Sequence, residues 1–497
     1  MKDLKKVIFI FVLIFFFSFS ISAKSVSLLK LPSSYDLRDV DGKCYITPVK
    51  SQAVPGELWN SVGLCWAFSN LASFESSLLL QGIVEDKNSP LANLSPWHIG
   101  CYIGYNHPNY EFNDKSLAPP FPVSYQLDKE TMQLGWGGSS LYTIDFLSTG
   151  RGLVMEKDAT FPLGDMKAKK VLVKPEEDLP AYYMLREGLI YERHDYSSEE
   201  DYRNAIKKAI LNYGALSSMM NLCEDDLPYY DREGFWCDDN YTDYYCSDES
   251  LVNNFKHAVT IIGWDDNKTM DCAPSPGAWL IKDSMGMGFH DDGYLWISYF
   301  DTVFLKDYAY AVVFFADSGE GYSRDRYQTH EGAISEPFDG YMYESDGFLT
   351  EGKNSWCCAR FIADENSELK AVGLITMNNN ENIKINVYGK WDEESEEPYE
   401  LIYSEEIFIE NMGYHVVDLG ELVSLKKEQE FIIALEFMYN LKDTKEPLVY
   451  VKDSENYSDN IKTYWAKGKD DSEWNEWQEY SKKRENSVMY IQGILAE

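Results

Sequence analysis

The sequence is poor in positive charge. Its 497 residues include 45 lysines and arginines against 82 aspartates and glutamates, which gives a formal net charge of −37. A chain this acidic repels nucleic acid and anionic lipid, so we expect neither as a partner. Histidine is also scarce, at seven residues, and few side chains can therefore serve as a general base near neutral pH.

Beyond residue 23 the chain lacks an apolar run long enough to cross a membrane. The one long apolar run, residues 7–19, follows three lysines and precedes the small residues Ser22 and Ala23. This arrangement is typical of a secretory signal peptide over residues 1–23, and an uncleaved membrane anchor is the alternative. We therefore expect a secreted protein, extracellular or at the cell surface, without a membrane span after signal removal.

The nine cysteines have no convincing zinc-binding spacing, so no metal site is predicted from them. Export permits disulfides, but the eight cysteines other than Cys65 allow 105 connectivities and no pairing is assigned. The acidic run at residues 392–397 could bind Ca²⁺, with a solvated acidic loop as the alternative. No other cofactor is expected.

The most informative stretch is Gly63-Leu64-Cys65-Trp66-Ala67-Phe68-Ser69. Apolar residues continue to Leu79 at roughly helical spacing, and Gln81-Gly82 supplies a helix stop. A thiol in the first turn of a helix lies beside unpaired N–H groups and the positive end of the dipole, and both favour the thiolate. Cys65 is therefore a candidate catalytic nucleophile, although a cysteine in a secreted protein is more often half of a disulfide.

A thiolate nucleophile requires a base. His257 stands at the entrance of an apolar segment, residues 258–262, that is typical of a strand. A second apolar segment, residues 278–281, leads to Asp283, whose carboxylate can accept a hydrogen bond from an imidazole. A histidine beside an apolar strand is more often an ordinary core residue, and this alternative stays open for His257 taken alone.

The string around Cys65, the His-Ala-Val segment that begins at His257 and the later Asp283 segment resemble, in this order, the papain-like cysteine peptidases. The resemblance implies an α+β peptidase domain over residues 24–316. It also implies catalytic roles for Cys65, His257 and Asp283. The segment that includes Gln52 resembles the one that carries the family's oxyanion-hole glutamine.

A glycine-rich segment resembles the part of the family that lines the substrate cleft, and Trp136, Gly137 and Gly138 are its candidate substrate-binding residues. Glycines let a peptide backbone approach closely. An ordinary tight turn is the alternative reading of this segment.

The chain departs from the family at several positions. Asp283 replaces the usual asparagine, and its negative charge is expected to raise the pKa of His257. Met285 stands where the family has a tryptophan that shields the histidine, and Gly63 stands where it has a cysteine. Gln52 is farther from Cys65 than usual, because residues 53–61 look like an inserted loop.

The second half of the chain has a different character. Residues 317–327 are polar and contain glycine, which predicts a linker. Residues 328–497 contain short period-two segments such as 383–388, separated by turn residues, which predict an antiparallel β-sandwich with its own core. Segments 369–373 and 413–419 resemble the lectin-like domain that follows the peptidase in some bacterial papain-like enzymes.

The expected fold is therefore an α+β papain-like domain followed by an all-β lectin-like domain. The expected function is that of a secreted cysteine endopeptidase acting on protein or peptide substrates through a Cys-His-Asp mechanism, with the β-domain as a tether to a surface glycan. The alternative is a catalytically impaired, peptidase-like adhesin or glycan-binding protein, which the residues Asp283 and Met285 favour.

Overall fold

Helices lie in the first half of the described chain, and long strands dominate the second. The computed structural model describes residues 31–54, 57–61, 63–102, 138–168, 175, 179–221, 238, 240–247, 257–306, 310–328, 354–438, 450–452, 462–467, 477–479 and 487–497. The predicted signal peptide, Trp136 and Gly137 lie outside these residues. No helix in the described part of the chain combines the length and apolarity needed to cross a membrane.

The helices include the one that the sequence predicts to begin at Cys65. Those of the described chain are α1 (Cys65–Leu80), α2 (Pro96–Tyr102), α3 (Ser140–Ser148), α4 (Leu163–Lys167) and α5 (Glu199–Tyr213), with 3₁₀ turns at Pro90–Ala92 and Arg193–Asp195. Helix α5 begins where Ser198 accepts a hydrogen bond from the backbone N–H of Asp201, as expected of an N-cap serine.

Strands occur throughout the described chain. In the first half they are β1 (Ser34–Asp36), β2 (Ala53–Val54), β3 (Glu57–Ser61), β4 (Leu153–Val154), β5 (Ala181–Tyr191), β6 (Leu216–Met220), β7 (Asp243–Tyr244), β8 (His257–Asp265), β9 (Ala278–Lys282), β10 (Tyr294–Ser298) and β11 (Ala311–Asp317). The later strands are β12 (Tyr322–Gln328), β13 (Ser355–Ile362), β14 (Ser367–Thr376), β15 (Glu381–Asp392), β16 (Glu397–Ile409), β17 (Gly413–Leu425), β18 (Glu430–Phe437), β19 (Tyr450–Lys452), β20 (Lys462–Lys467), β21 (Gln478–Glu479), β22 (Ser487–Met489) and β23 (Gln492–Ala496).

One sheet runs through both halves of the chain. Its order is β12-β23-β14-β17-β5-β11-β6-β8-β9-β10-β7, with β1 on β8 and β4 on β5. The two halves meet where Gly413 to His415 of β17 pair antiparallel with residues 187–189 of β5. A β-carbon on Gly413 would lie 2.1 Å from the carbonyl oxygen of Gly188, so this close crossing requires glycine.

The segment predicted as a linker contains a strand of this sheet. Residues 322–328 form β12, which pairs antiparallel with the last strand, β23. Residues 318–321, between β11 and β12, include the left-handed glycines Gly319 and Gly321. The chain therefore enters its second half as an edge strand of the large sheet.

The second half packs two antiparallel sheets face to face. The smaller sheet has the order β16-β15-β18-β13-β20-β21, and its apolar residues face those of β14, β17 and β23 of the large sheet. Leu369, Ile385 and Ile433 are fully buried in this core. This confirms the predicted fold class, a mixed α+β region followed by a β-sandwich.

A further core is shared between the halves. Trp66 of α1 and Phe314 of β11 belong to the same buried cluster as Met412, Tyr414 and Ile494 from the second half. Residues 33–497 accordingly form one compact unit.

Residues 53–61, which the sequence predicts to be an inserted loop, contain a hairpin. Strands β2 and β3 pair antiparallel there, with Ala53 opposite Ser61 and Val54 opposite Glu57. Ala53 and Val54 are buried, and Val54 joins the core around Trp66. The segment is therefore anchored to the body of the protein at its start.

Candidate active site

Cys65 is the first residue of α1, at the helix N-terminus that the sequence predicts. The helix is held against the large sheet by its serines. The hydroxyl of Ser69 donates to the carbonyl oxygen of Val259 in β8 at 2.6 Å, and that of Ser73 donates to Ala215 beside β6, also at 2.6 Å. These contacts fix Cys65 relative to the start of β8.

The imidazole of His257 lies between the thiol and the carboxylate. His257 is the first residue of β8, and its Nε2 is 2.6 Å from Oδ1 of Asp283. Its ring is also hydrogen-bonded to the thiol of Cys65, and Nδ1 is the nitrogen left for this contact. His257 and Asp283 are each 4% exposed. The structure thus brings Cys65, His257 and Asp283 together.

The electrostatics of these three residues favour an ion pair. Burial works against a charged imidazole, but the charge of Asp283 and its hydrogen bond raise the pKa of His257 to about 10. Burial also works against the thiolate, but the hydrogen bond and charge of His257, with backbone N–H groups, lower the pKa of Cys65. The rise at His257 has the direction predicted for a carboxylate at position 283.

Asp283 follows β9 and has a second histidine partner, His290, which was not predicted from the sequence. Its Oδ1 also accepts from the backbone N–H of Ser284 at 2.6 Å, and its Oδ2 lies 3.2 Å from Nε2 of His290. Burial opposes ionisation, but the charges of and hydrogen bonds from His257 and His290 hold the pKa of Asp283 well below its usual range. The sequence feature that could have indicated this partner is His290 itself, one of only seven histidines in the chain, seven residues after Asp283.

Gln52 is buried beside the segment that follows Asp283. Its backbone N–H donates to the carbonyl oxygen of Ser284 at 2.8 Å, and its Oε1 accepts from the Ser284 hydroxyl at 3.2 Å. Its Nε2 points at Sδ of Met285, 3.8 Å away. Thioether sulfur is a weak acceptor, so this amide remains available to a stronger one. Its role in an oxyanion hole stays a prediction.

Gly138 packs against the residue that follows Cys65. A β-carbon at position 138 would lie 2.2 Å from Cε2 of Trp66, so the close approach to this indole requires glycine. The predicted contact of Gly138 with substrate is not addressed by this packing.

A buried polar network lies beneath the site and was not anticipated. Glu75 of α1, which is 1% exposed, pairs with Lys50 at 2.6 Å and accepts from the hydroxyl of Thr47. Lys282 of β9 donates to the carbonyl oxygen of Thr47 at 2.9 Å, and burial lowers its pKa to about 8. The network ties the segment before Gln52 to both α1 and β9.

The acidic run at residues 392–397 is the turn between β15 and β16. Oδ1 of Asp392 accepts from the backbone N–H groups of Glu394 at 2.8 Å and Ser395 at 3.2 Å, which closes the turn. Ca²⁺ binding at this turn stays a prediction. Among the other cysteines, Cys272 is disulfide-bonded, whereas Cys44, Cys357 and Cys358 are thiols.

Two family models match the chain. Residues 129–311 match the papain family cysteine protease, and residues 341–492 match the lectin-like domain. The first match includes His257 and Asp283 and begins after α1, so Cys65 precedes it.

Human cathepsin O is 24% identical over 270 residues, which cover 54% of this chain and 62% of that protein. Cathepsin K of Mus musculus is 22% identical over 273 residues, which cover 53% and 59%. The chain therefore spans about 60% of the length of these relatives.

The fold is similar to solved structures over most of the chain. The clostridial cysteine protease Cwp84 after propeptide cleavage has a TM-score of 0.65 at 20% identity, covering 94% of this chain and 100% of that one. The cysteine protease and lectin-like domains of Cwp84, a surface layer associated protein of Clostridium difficile, have a TM-score of 0.64 at 19% identity, covering 94% and 89%. Residues 129–311 are therefore similar to the papain family of cysteine proteases, residues 341–492 are similar to the lectin-like domain, and the fold is similar to that of Cwp84.

Proposed function

We propose that the protein is a secreted cysteine endopeptidase that hydrolyses peptide bonds through Cys65, His257 and Asp283. The observation that carries this proposal is the imidazole of His257, which is hydrogen-bonded to the thiol at a helix N-terminus on one side and to a buried carboxylate on the other. A thiol, a base and a group that orients the base are the components of a covalent acyl-transfer mechanism.

In the proposed mechanism the thiolate of Cys65 attacks the peptide carbonyl carbon. The oxyanion accepts hydrogen bonds from the Cys65 backbone N–H and from Nε2 of Gln52. To reach the oxyanion, the Gln52 amide gives up its weak contact with Sδ of Met285. His257 then donates its proton to the leaving amine, and the peptide C–N bond breaks. A water molecule then gives a proton to His257 and attacks the thioester carbonyl carbon. The C–S bond breaks, and the thiolate of Cys65 is regenerated beside the imidazolium.

The proposed location is the cell surface, with the lectin-like domain binding a glycan. The support is the similarity to Cwp84, which is described as surface layer associated, together with the lectin-like match over residues 341–492. The lectin-like domain also has a structural role, since it shares a sheet and a core with the peptidase half. We therefore propose that it both binds a glycan and supports the peptidase half.

A second candidate is a catalytically impaired, peptidase-like adhesin or glycan-binding protein. The observation that favours it is the contact between Nε2 of Gln52 and Met285, which stands where the family has its shielding tryptophan. If that amide does not turn toward the substrate, the oxyanion loses one of its two donors.

The two candidates differ in whether Cys65 is an activated nucleophile. Wild-type protein should cleave members of a peptide library and be labelled by an epoxide that attacks thiolates, and Cys65→Ala should lose both while folding normally. Cys44→Ala is the matched control, because Cys44 is a partly exposed thiol whose Sγ contacts Ile46. A wild-type protein that is neither labelled nor active would favour the adhesin.

A further inference from the structure

His290 approaches the catalytic carboxylate from the side opposite His257. Its Nε2 lies 3.2 Å from Oδ2 of Asp283, and its Nδ1 lies 2.5 Å from the backbone carbonyl oxygen of Tyr241. The side chain is 11% exposed. Asp283 therefore bridges two imidazoles, one at each oxygen.

Both ring nitrogens of His290 face oxygen atoms that can only accept a hydrogen bond. A neutral imidazole has one N–H, so one of these contacts would place a nitrogen lone pair against an oxygen lone pair. The ring satisfies both contacts only when both nitrogens carry a proton. This assignment follows from the hydrogen-bond network, as histidine protonation states generally do.

We propose that His290 is a positively charged positioning residue that balances the negative charge of Asp283, so that the aspartate can serve where this family uses a neutral asparagine. The inference rests on the proposed function, because it describes the same catalytic site. With His290 charged, Cys65, His257, Asp283 and His290 form a row of alternating charges whose sum is zero.

The need for this balance follows from electrostatics. A thiolate and an imidazolium beside an asparagine are already neutral as a pair. An aspartate at position 283 adds a buried negative charge, which stabilises the imidazolium but disfavours the thiolate of Cys65. A positive charge on His290 offsets this effect and leaves the hydrogen bond from His257 to Asp283 in place.

The backbone around His290 is arranged to hold this contact. His290 has a left-handed backbone, with φ of 53°, which few residues other than glycine adopt. Its turn is held by hydrogen bonds from Gly293 N–H to the Phe289 carbonyl at 2.7 Å and from Asp283 N–H to the Gly293 carbonyl at 2.8 Å. These bonds tie the turn that carries His290 to the backbone of Asp283.

The carboxylate of Asp283 is in direct contact with His290, and other charged groups lie on the elements around this pair. On the 238–244 segment Asp243 pairs with Lys268 at 2.8 Å, and the carboxylate of Asp238 accepts from Thr242. Among the described residues, the titratable groups on the surrounding elements include Cys65, Asp238, Tyr241, Asp243, His257, Lys268 and Asp283, with Asp291 and Asp292 on the same turn.

The test is the pH dependence of Cys65 alkylation by iodoacetamide, which reports thiolate formation without requiring peptide hydrolysis. His290→Gln removes the positive charge, so the midpoint of thiolate formation should move upward by about one pH unit or more. In an Asp283→Asn background the same substitution should move the midpoint much less. His194→Gln, at a half-exposed histidine away from the site, is the matched control and should leave it unchanged.

An unchanged midpoint in folded His290→Gln would overturn the proposal, since a purely structural role alters stability or labelling yield but not the midpoint. Histidine ¹⁵N NMR of wild-type protein supplies a measurement that needs no variant. Protonated shifts for both ring nitrogens of His290 at pH 7 support the proposal, and a single protonated nitrogen overturns it. Absence of peptide hydrolysis by the wild type would instead count against the proposed function.

Discussion

Two buried histidines in the same large sheet have pKa values that are shifted in opposite directions. His257, at the start of β8, lies against Asp283, and its pKa is raised to about 10 although burial opposes this. His415, on β17 where the two halves meet, is 6% exposed, and burial lowers its pKa to about 4. Its Nε2 lies 3.3 Å from the hydroxyl of Thr376, which is uncharged.

The difference shows that the partner, and not the burial, decides whether a buried histidine is charged. Removal from water disfavours the imidazolium at both positions. A carboxylate at 2.6 Å reverses this at His257, and the proposed mechanism uses the resulting imidazolium as its proton donor. At His415 no such reversal occurs, so the ring packs as a neutral part of the junction between the halves.

The largest expected effect comes from separating the two ends of the sheet. A chain ending at residue 317 lacks β17, which pairs with β5, and lacks Met412, Tyr414 and Ile494 from the shared core. We expect this fragment to be insoluble or unfolded, as measured by expression yield and near-UV circular dichroism. A soluble fragment that labels at Cys65 as fast as the full chain would show that the active-site half is independent of the junction.

The second largest effect is expected at the partner of His257. Asp283→Ala should lower kcat by about 10²-fold or more, because the imidazole loses the group that orients it. Asp283→Asn should keep most of the activity, and the upper pKa of its pH–rate profile should fall because a negative charge beside the imidazolium is lost. The measurement is kcat/KM against pH for all three proteins. An upper limb that stays in place in the asparagine variant would argue against the pairing.

The third prediction concerns His415, whose pKa is lowered by folding whereas that of His257 is raised. Its folded pKa of about 4 lies below the usual value of about 6.5, so the unfolded chain binds the proton first. Above pH 6.5 the ring is neutral in both states, and the free energy of unfolding has its full value. As pH falls from 6.5 toward 4, the unfolded chain binds a proton that the folded chain does not, and the free energy of unfolding decreases. The loss is about 3 kcal/mol at most.

His415→Gln should remove this part of the acid sensitivity. Urea unfolding of wild type and variant between pH 7 and 4.5 should show a smaller decrease in the free energy of unfolding for the variant. His194→Gln is again the control for loss of a histidine. Parallel pH dependences for wild type and His415→Gln would mean that the ring is not held neutral at the junction.

The smallest effect is expected at a charged contact that joins the halves. Nη1 of Arg326 in β12 donates to the carbonyl oxygen of Ser148 at 2.6 Å, to the hydroxyl of Tyr414 at 2.9 Å and to Oε1 of Gln492 at 3.2 Å. Arg326→Met keeps the apolar stem but removes these bonds, and should cost about 2 kcal/mol of stability.

Because Arg326 lies outside the catalytic site, the rate of Cys65 alkylation should be unchanged in Arg326→Met. Arg151→Met, at an exposed arginine that lies 5.1 Å from the ring of Phe146, is the matched control for stability. A changed alkylation rate would indicate that the junction acts on the active site.

Much of the candidate site was predictable because its signals are local. A cysteine before a helical apolar pattern places the thiol at a helix N-terminus, and a histidine before an apolar run places the base at a strand entrance. The substitution at Asp283 was also readable, as was its effect on the pKa of His257. The domain boundaries at residues 316 and 328 and the role of Gln52 stay predictions.

Other features depend on residues that are far apart in the chain or on the direction of a side chain in a turn. The segment 317–327 looks like a linker because it is polar and contains glycine, but the pairing of β12 with β23 depends on the last residues of the protein. Likewise, nothing near His290 in the sequence shows that its ring lies against the carboxylate of Asp283.

The sequence by itself determined the helix that begins at Cys65, the strand that begins at His257 and the period-two strands of the second half, because these patterns are set by neighbours along the chain. The order of the motifs around Cys65, His257 and Asp283 added the resemblance from which the chemistry is proposed. Only the tertiary structure decided that one sheet runs through both halves and that Asp283 bridges His257 and His290. The physical reason is that the charge on a buried imidazole is set by the atoms packed against it, and these come from segments that meet only in the folded protein.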